Sequence, residues 1–152
     1  MIDTLPEAEP TPPAPLTLAA VERALRASWA ADTCSPDDLE RAPWLSGNPA
    51  WGHCDITTLV VHDLFGGELM LGSVELDGRP RGYHWWNRLS SGVELDMTHE
   101  QFVLGEQVVG GRAVERPSGP LKVRADEYAL LRVRVGQALG RTLPPSINLV
   151  AD

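Results

Sequence analysis

The sequence predicts an α+β domain in which a buried helix, opened by a cysteine, packs on an antiparallel sheet. Three observations predict it. Residues 54–65, CDITTLVVHDLF, carry apolar side chains around more than half of the helical circumference, the pattern of a largely buried helix. Three strand-like segments follow, ELMLGSVEL (68–76), RGYHWWNRL (81–89) and VELDM (93–97), separated by the turn signals DGRP and SSG, so they read as a meander. The overall order, helix, long loop, buried helix, then strands, is that of α+β domains.

Residues 1–16 hold five prolines among acidic and small residues and are expected to be a disordered tail, with one globular domain over 17–152. Thr17 is a suitable N-cap for a helix over 18–31, whose apolar face carries Leu18, Val21, Leu25 and Trp29. The connection 32–53 is rich in Pro, Gly, Asp and Ser, with a short turn at 36–41. Its Trp44 and Trp51 argue for order, because large rings favour burial. Gly66 and Gly67 end the buried helix. Thr98 and Gln101 fit a capping box, which predicts a short helix there. Within the glycine-rich stretch 105–123, QVV is a strand candidate; residues 124–140 read as a helix ended by Gly140, and the final segment as irregular.

The formal net charge of −8 disfavours non-specific association with nucleic acid or an anionic membrane. No apolar run approaches the ~18 residues of a membrane helix. The N-terminal residues lack the basic and apolar regions of a secretory signal. With only Cys34 and Cys54 the chain is no disulfide scaffold, and a cytoplasmic protein with reduced thiols is expected. No cofactor is implied. Composition does not speak to oligomeric state.

Cys54 has two readings. A buried cysteine is commonly an inert small hydrophobe. At a helix N-terminus, unpaired N–H groups and the positive dipole end favour thiolate, which makes a nucleophile. A nucleophile needs a base and a group that orients the base. Among the histidines, His53 is adjacent to Cys54 and diverges from it, His62 is too far along the same helix, and His99 fits a surface first turn. His84, in the strand motif Tyr83-His-Trp-Trp86, is the candidate base. If Leu89 pairs with Val93, Trp86 falls opposite Asp96, and His84 and Asp96 become diagonal neighbours on one face. A one-residue slip would separate them. Cys54, His84 and Asp96 thus form a candidate catalytic set. The Cys54 N–H and the Asn48 side chain are candidate oxyanion donors. Trp51, His53, Trp86 and Asn87 are candidate substrate contacts. Cys34 is expected to pack beneath the loop, the alternative being a resolving thiol for Cys54.

Taken together, SWAADTC (28–34), NPAWGHCDITTLVVHDLFGGEL (48–69), YHWWNRL (83–89), GVELDMTHEQF (92–102) and RADEYALLRVRV (124–135) resemble the YunG-like family of small bacterial proteins. The chain departs from that pattern at His53, Trp85 and Met97, where the family carries Gln, Tyr and Leu. More distantly, the layout is similar to the papain-like and transglutaminase-like superfamily. That resemblance implies a cysteine-opened helix with His and Asp or Asn supplied by later strands. Asn48 stands six residues before Cys54, where papain-like proteases carry an oxyanion-hole Gln. The expected activity is hydrolysis or transfer of a small or peptide-like acyl group. The alternatives are a non-enzymatic binding or interaction domain with an inert Cys54, and a metal site built from Cys54, His84 and Asp96, disfavoured because no short-spaced ligand pair exists.

Overall fold

A computed structural model of the protein describes residues 15–149; the proline-rich segment 1–14 and residues 150–152 lie outside the described residues. The architecture is α+β. Helices α1 (Leu18–Ser28), α2 (Pro36–Arg41) and α3 (Cys54–Phe65) precede strands β1 (Glu68–Leu76), β2 (Arg79–Arg88), β3 (Glu94–Leu95) and β4 (Gln107–Val114), and α4 (Ala125–Leu139) follows. Single 3₁₀ turns occur at Ala31–Thr33 and His99–Gln101. The antiparallel strands form one sheet in the order β3-β2-β1-β4. Among the described residues no helix is long and apolar enough to cross a membrane.

Thr17 caps α1 as expected, its Oγ1 accepting the Ala20 N–H at 3.1 Å. The helix stops at Ser28 rather than near 31, because the backbone turns extended at Trp29. The expected turn at 36–41 is a six-residue helix begun by Pro36, a residue suited to a first helical position. The capping box at Thr98 yields only the 3₁₀ turn, because the Thr98 N–H and hydroxyl both donate to Asp96 Oδ1, at 3.3 and 3.4 Å.

The core lies between the helices and one face of the sheet. Val21, Leu25 and Trp29 of the α1 region, Ile56, Val60 and Val61 of α3, and Tyr128, Leu131 and Val135 of α4 are buried together with Leu69 of β1. Leu69 pairs with Asn87, which pairs in turn with Leu95, so this set shares a face. The face is joined to α3 by Asn87, whose Nδ2 donates to Thr58 O at 3.0 Å. Alternation then directs His84 and Trp86 to the opposite face. The β2–β3 register is the one the SSG spacing implies: Asn87 opposes Leu95, Arg88 opposes Glu94, and Leu89 N–H donates to Val93 O at 2.8 Å.

The segment after α4 is irregular yet firmly attached. Asp63 of α3 receives Arg116 at 2.7 Å and Arg132 at 2.5 Å, and also the Tyr128 hydroxyl. Arg116 extends the cluster to Asn148 Oδ1 at 2.6 Å, Ser146 Oγ at 3.2 Å and His62 Nδ1 at 2.8 Å.

Candidate active site

The loop before α3 is built to present Cys54. Trp44 Nε1 donates to Pro49 O and Trp51 Nε1 to Ala42 O, at 3.0 and 3.1 Å, so both indoles close the loop on itself. Gly52 has φ +75°, and a Cβ there would overlap Cys34 Sγ. Arg124 ties this loop to α4. Its guanidinium donates to Asp55 Oδ2, Thr33 O and Gly52 O, each at 3.0 Å. The Arg124 backbone is left-handed (φ +67°), a conformation uncommon for a side-chain-bearing residue and held here by those bonds.

Cys54 is the first residue of α3, among the N–H groups that have no partner within the helix. The Trp85 backbone N–H lies close enough to the sulfur to favour its ionised form. That N–H belongs to the peptide joining His84 to Trp85, so the thiol meets β2 at its backbone, beside the residue that carries the imidazole. β3 pairs with β2 only at Asn87 and Arg88, leaving this stretch of the strand uncovered. The residue is half-buried and lines a cleft. Burial, followed by the nearby Asp55 carboxylate, pushes the thiol well above its ordinary value. The resting group is a thiol, not a thiolate.

His84 is 1% exposed and fixed from two sides. Its Nε2 lies 2.7 Å from Asp96 Oδ2, and its Nδ1 lies 3.4 Å from Gln101 Nε2. The Gln101 nitrogen also donates to Thr98 O at 3.1 Å, which identifies it as the amide N–H end. A neutral imidazole therefore donates through Nε2 to the carboxylate and accepts through Nδ1. The ring stacks on Trp86 at 6.0 Å between centroids and meets the edge of Phe102 at 4.7 Å. Among the described residues no hydrogen bond joins Cys54 to His84; Gln101 holds the nitrogen expected to face the thiol.

A cleft of 840 Å³ opens over Cys54. Asn48, Trp51, Tyr83, Phe102, Val103 and Leu104 are among its walls, with Arg41 and Arg81, whose backbone carbonyl accepts from Arg41 Nη1 at 3.1 Å. Asn48 does not present its amide freely: Nδ2 donates to Gln101 O at 3.3 Å, and Oδ1 is buried without a donor.

Three expected substrate contacts lie elsewhere. His53 is completely buried beneath the loop, with Nδ1 at 2.8 Å from Trp51 O and Nε2 at 2.7 Å from Thr33 Oγ1. Burial lowers its pKa to about 4, so it is a neutral structural residue. Asn87 spends its amide on α3, on the core side of β2. Trp86 lies against Gly72 and Gly111, where an added Cβ would approach its ring to 2.9 Å, and it supports His84 rather than walling the cleft. Trp51 alone of the four lines the cleft. Cys34 is buried with Sγ 3.2 Å from Trp51 O, pushed up to about 11 by burial; both cysteines are free thiols. Among the described residues no group of three His, Cys, Asp or Glu side chains is arranged to hold a metal ion.

Sequence reasoning did not single out Gln101 or Arg124 as site residues. Gln101 carried a signal of the wrong kind, a capping-box position, and Arg124 carried none, since its partners lie 69 to 91 residues away.

The family model described as YunG protein matches residues 17–140. The uncharacterized protein YunG of Bacillus subtilis (strain 168) is 32% identical over 82 residues, which cover 54% of this chain and 60% of that protein. The match thus leaves about two fifths of that relative's length unaligned. No solved structure matches the chain. With a family match across most of its length, the chain belongs to the YunG family.

Proposed function

We propose that the protein is a cysteine-dependent hydrolase or acyl transferase acting on a small or peptide-like acyl substrate in the cleft over Cys54. The observation that carries this reading is the coincidence of three features. A helix-opening cysteine walls the cleft, its sulfur sits against the peptide bond that follows His84, and Asp96 orients that imidazole from 2.7 Å. His84 Nδ1 accepts the Cys54 proton as the sulfur attacks the acyl carbon. The imidazolium then returns the proton to the departing amine, alcohol or thiol as the carbon–leaving-group bond breaks. Water or an acceptor nucleophile attacks the resulting thioester, its proton passing through His84 to the thiol that leaves. Asp96 stabilises the imidazolium in both halves. The Cys54 N–H and the Asn48 amide are the donors suited to the oxyanion. On this reading the fold is of the papain-like or transglutaminase-like type, and the two free thiols fit a cytoplasmic setting.

The test is alkylation of Cys54 by iodoacetamide, followed by peptide mass spectrometry between about pH 5 and pH 9, a range that spans the ordinary His and Cys pKa values. A working base predicts that His84→Ala slows labelling about tenfold or more near neutral pH. Equal, slow labelling in both proteins would overturn the proposal.

A second reading, a binding domain with an inert Cys54, draws support from the burial that raises the thiol's pKa. It predicts that Cys54→Ala keeps full cellular function.

A further inference from the structure

Gln101 occupies two groups that the proposed chemistry needs. Its backbone carbonyl accepts the Asn48 Nδ2–H at 3.3 Å, and its side-chain amide donates to His84 Nδ1 at 3.4 Å. Both contacts are long for hydrogen bonds, and therefore weak and displaceable. The Asn48 amide is further undermined by its buried Oδ1, which has no donor. The carbonyl facing Asn48 is an amide carbonyl beside the cleft over Cys54, the functional group an acyl substrate would bring. Gln101 closes the turn His99–Gln101, which is tied to α1 through Glu100 and Arg26 at 2.8 Å. The chain then runs along the cleft through Val103 and Leu104, each 67% exposed. The segment is held at both ends, by that ion pair and by the pairing of Gln107 with Glu75 in the sheet, while Val103 and Leu104 between them are turned to solvent.

Resting on the nucleophile reading, we propose that Gln101 is a resting-state cap. Its main-chain carbonyl stands in for the substrate carbonyl at Asn48, its side chain covers the base, and an incoming carbonyl compound displaces both contacts together. Three consequences follow. The ligand class is one that offers a carbonyl oxygen to the Asn48 N–H: an amide, ester or thioester. Displacement frees His84 Nδ1 at the moment a reactive carbon is present, so the thiol is not activated in an empty cleft. Gln101 acts through His84 and Asn48, and is a positioning residue. Titratable groups near the imidazole are Asp96 and, 3.5 Å from the same carboxylate, His99; near the thiol they are Asp55, Asp38 and Asp96.

The test compares Gln101→Ala, His84→Ala and the double variant with the unaltered full chain, using iodoacetamide, a small carbonyl-bearing alkylating reagent, as probe. The proposal predicts that Gln101→Ala labels Cys54 about tenfold faster than wild type near neutral pH, and that His84→Ala abolishes the gain. A gain that survives in the double variant makes Gln101 a steric cover and overturns the cap. So does labelling unchanged by Gln101→Ala, while a His84 effect in the otherwise wild-type chain would leave the acyl-transfer reading standing. Labelling independent of His84 in both backgrounds removes that reading and the cap with it. A second measurement does not depend on the Ala variant folding: ¹⁵N resonances of the His84 ring in the wild-type chain. Nδ1 is expected to be an unprotonated, hydrogen-bonded acceptor whose resonance moves when a non-reactive amide such as acetamide fills the cleft. A resonance indifferent to acetamide at saturating concentration contradicts displacement.

Discussion

Two buried polar clusters in this molecule differ in how completely they are satisfied. Around Asp63, a carboxylate 5% exposed meets two guanidinium groups and a phenol, and the cluster's outer atoms reach Asn148, Ser146 and His62. Around His84, the bonds at the periphery are long, Asn48 keeps an acceptor without a donor, and the nearby thiol is held un-ionised by desolvation. Opposite charges and short bonds suit a cluster whose task is to hold the C-terminal segment on α3 and α4. Loose, partly unsatisfied bonds beside a cleft suit one whose partners change. The difference teaches that buried polarity as such does not single out a candidate site, and that incomplete polarity beside a cleft is the feature the proposed function builds on.

The largest expected effect breaks the structural cluster. Asp63→Ala leaves Arg116 and Arg132 facing each other without a counter-charge, and should cost about 4 kcal/mol in chemical denaturation. A loss below about 1 kcal/mol, the range of exposed pairs, would mean that the cluster is no anchor. Next is Arg124→Ala, which frees Asp55 and two carbonyls of the cysteine loop. About 3 kcal/mol is expected, together with altered Cys54 labelling, because the same guanidinium sets the start of α3.

His53 gives a pH prediction of similar size. Burial holds it near about 4 in the folded protein, against an ordinary value of 6.5. As pH falls, the unfolded chain takes up the proton first. Stability present above about pH 6.5 should therefore decline towards pH 4, by about 3 kcal/mol at most. Denaturation midpoints that do not move across that window would show that His53 is not the buried neutral group described. The smallest stability effect belongs to the candidate site. Asn48→Ala removes a weak bond and an orphaned acceptor together, and should change stability by less than about 1 kcal/mol. A loss of several kcal/mol would put Asn48 with the anchors and erase the contrast between the clusters.

The same contrast separates what could be read in the sequence from what could not. Helix α3 was legible to the residue, because an apolar run between a Gly-His entry and a Gly-Gly exit admits few other boundaries. The His84–Asp96 pair was legible because a hairpin converts sequence spacing into register. The Asp63 cluster was not: its members lie up to 85 positions apart, between residues 63 and 148, and no local periodicity couples them. His53, Trp86 and Asn87, candidate substrate contacts by sequence, lie away from the cleft. Strand alternation already set Asn87 on the face opposite His84, and that parity argument outweighs adjacency. Gln101 shows the limit most sharply, since its position in a capping pattern concealed a side chain that turns towards His84.

The central claim, that Cys54, His84 and Asp96 act as one acyl-transferring unit, is tested most directly by trapping the intermediate. The full chain is mixed with p-nitrophenyl acetate, quenched over time and analysed by peptide mass spectrometry. The account predicts one acetyl group on the peptide containing Cys54, formed and lost in the wild type, and formed far more slowly in His84→Ala and Asp96→Asn. Acetylation that avoids Cys54, or that proceeds at the same rate in all three proteins, would contradict it.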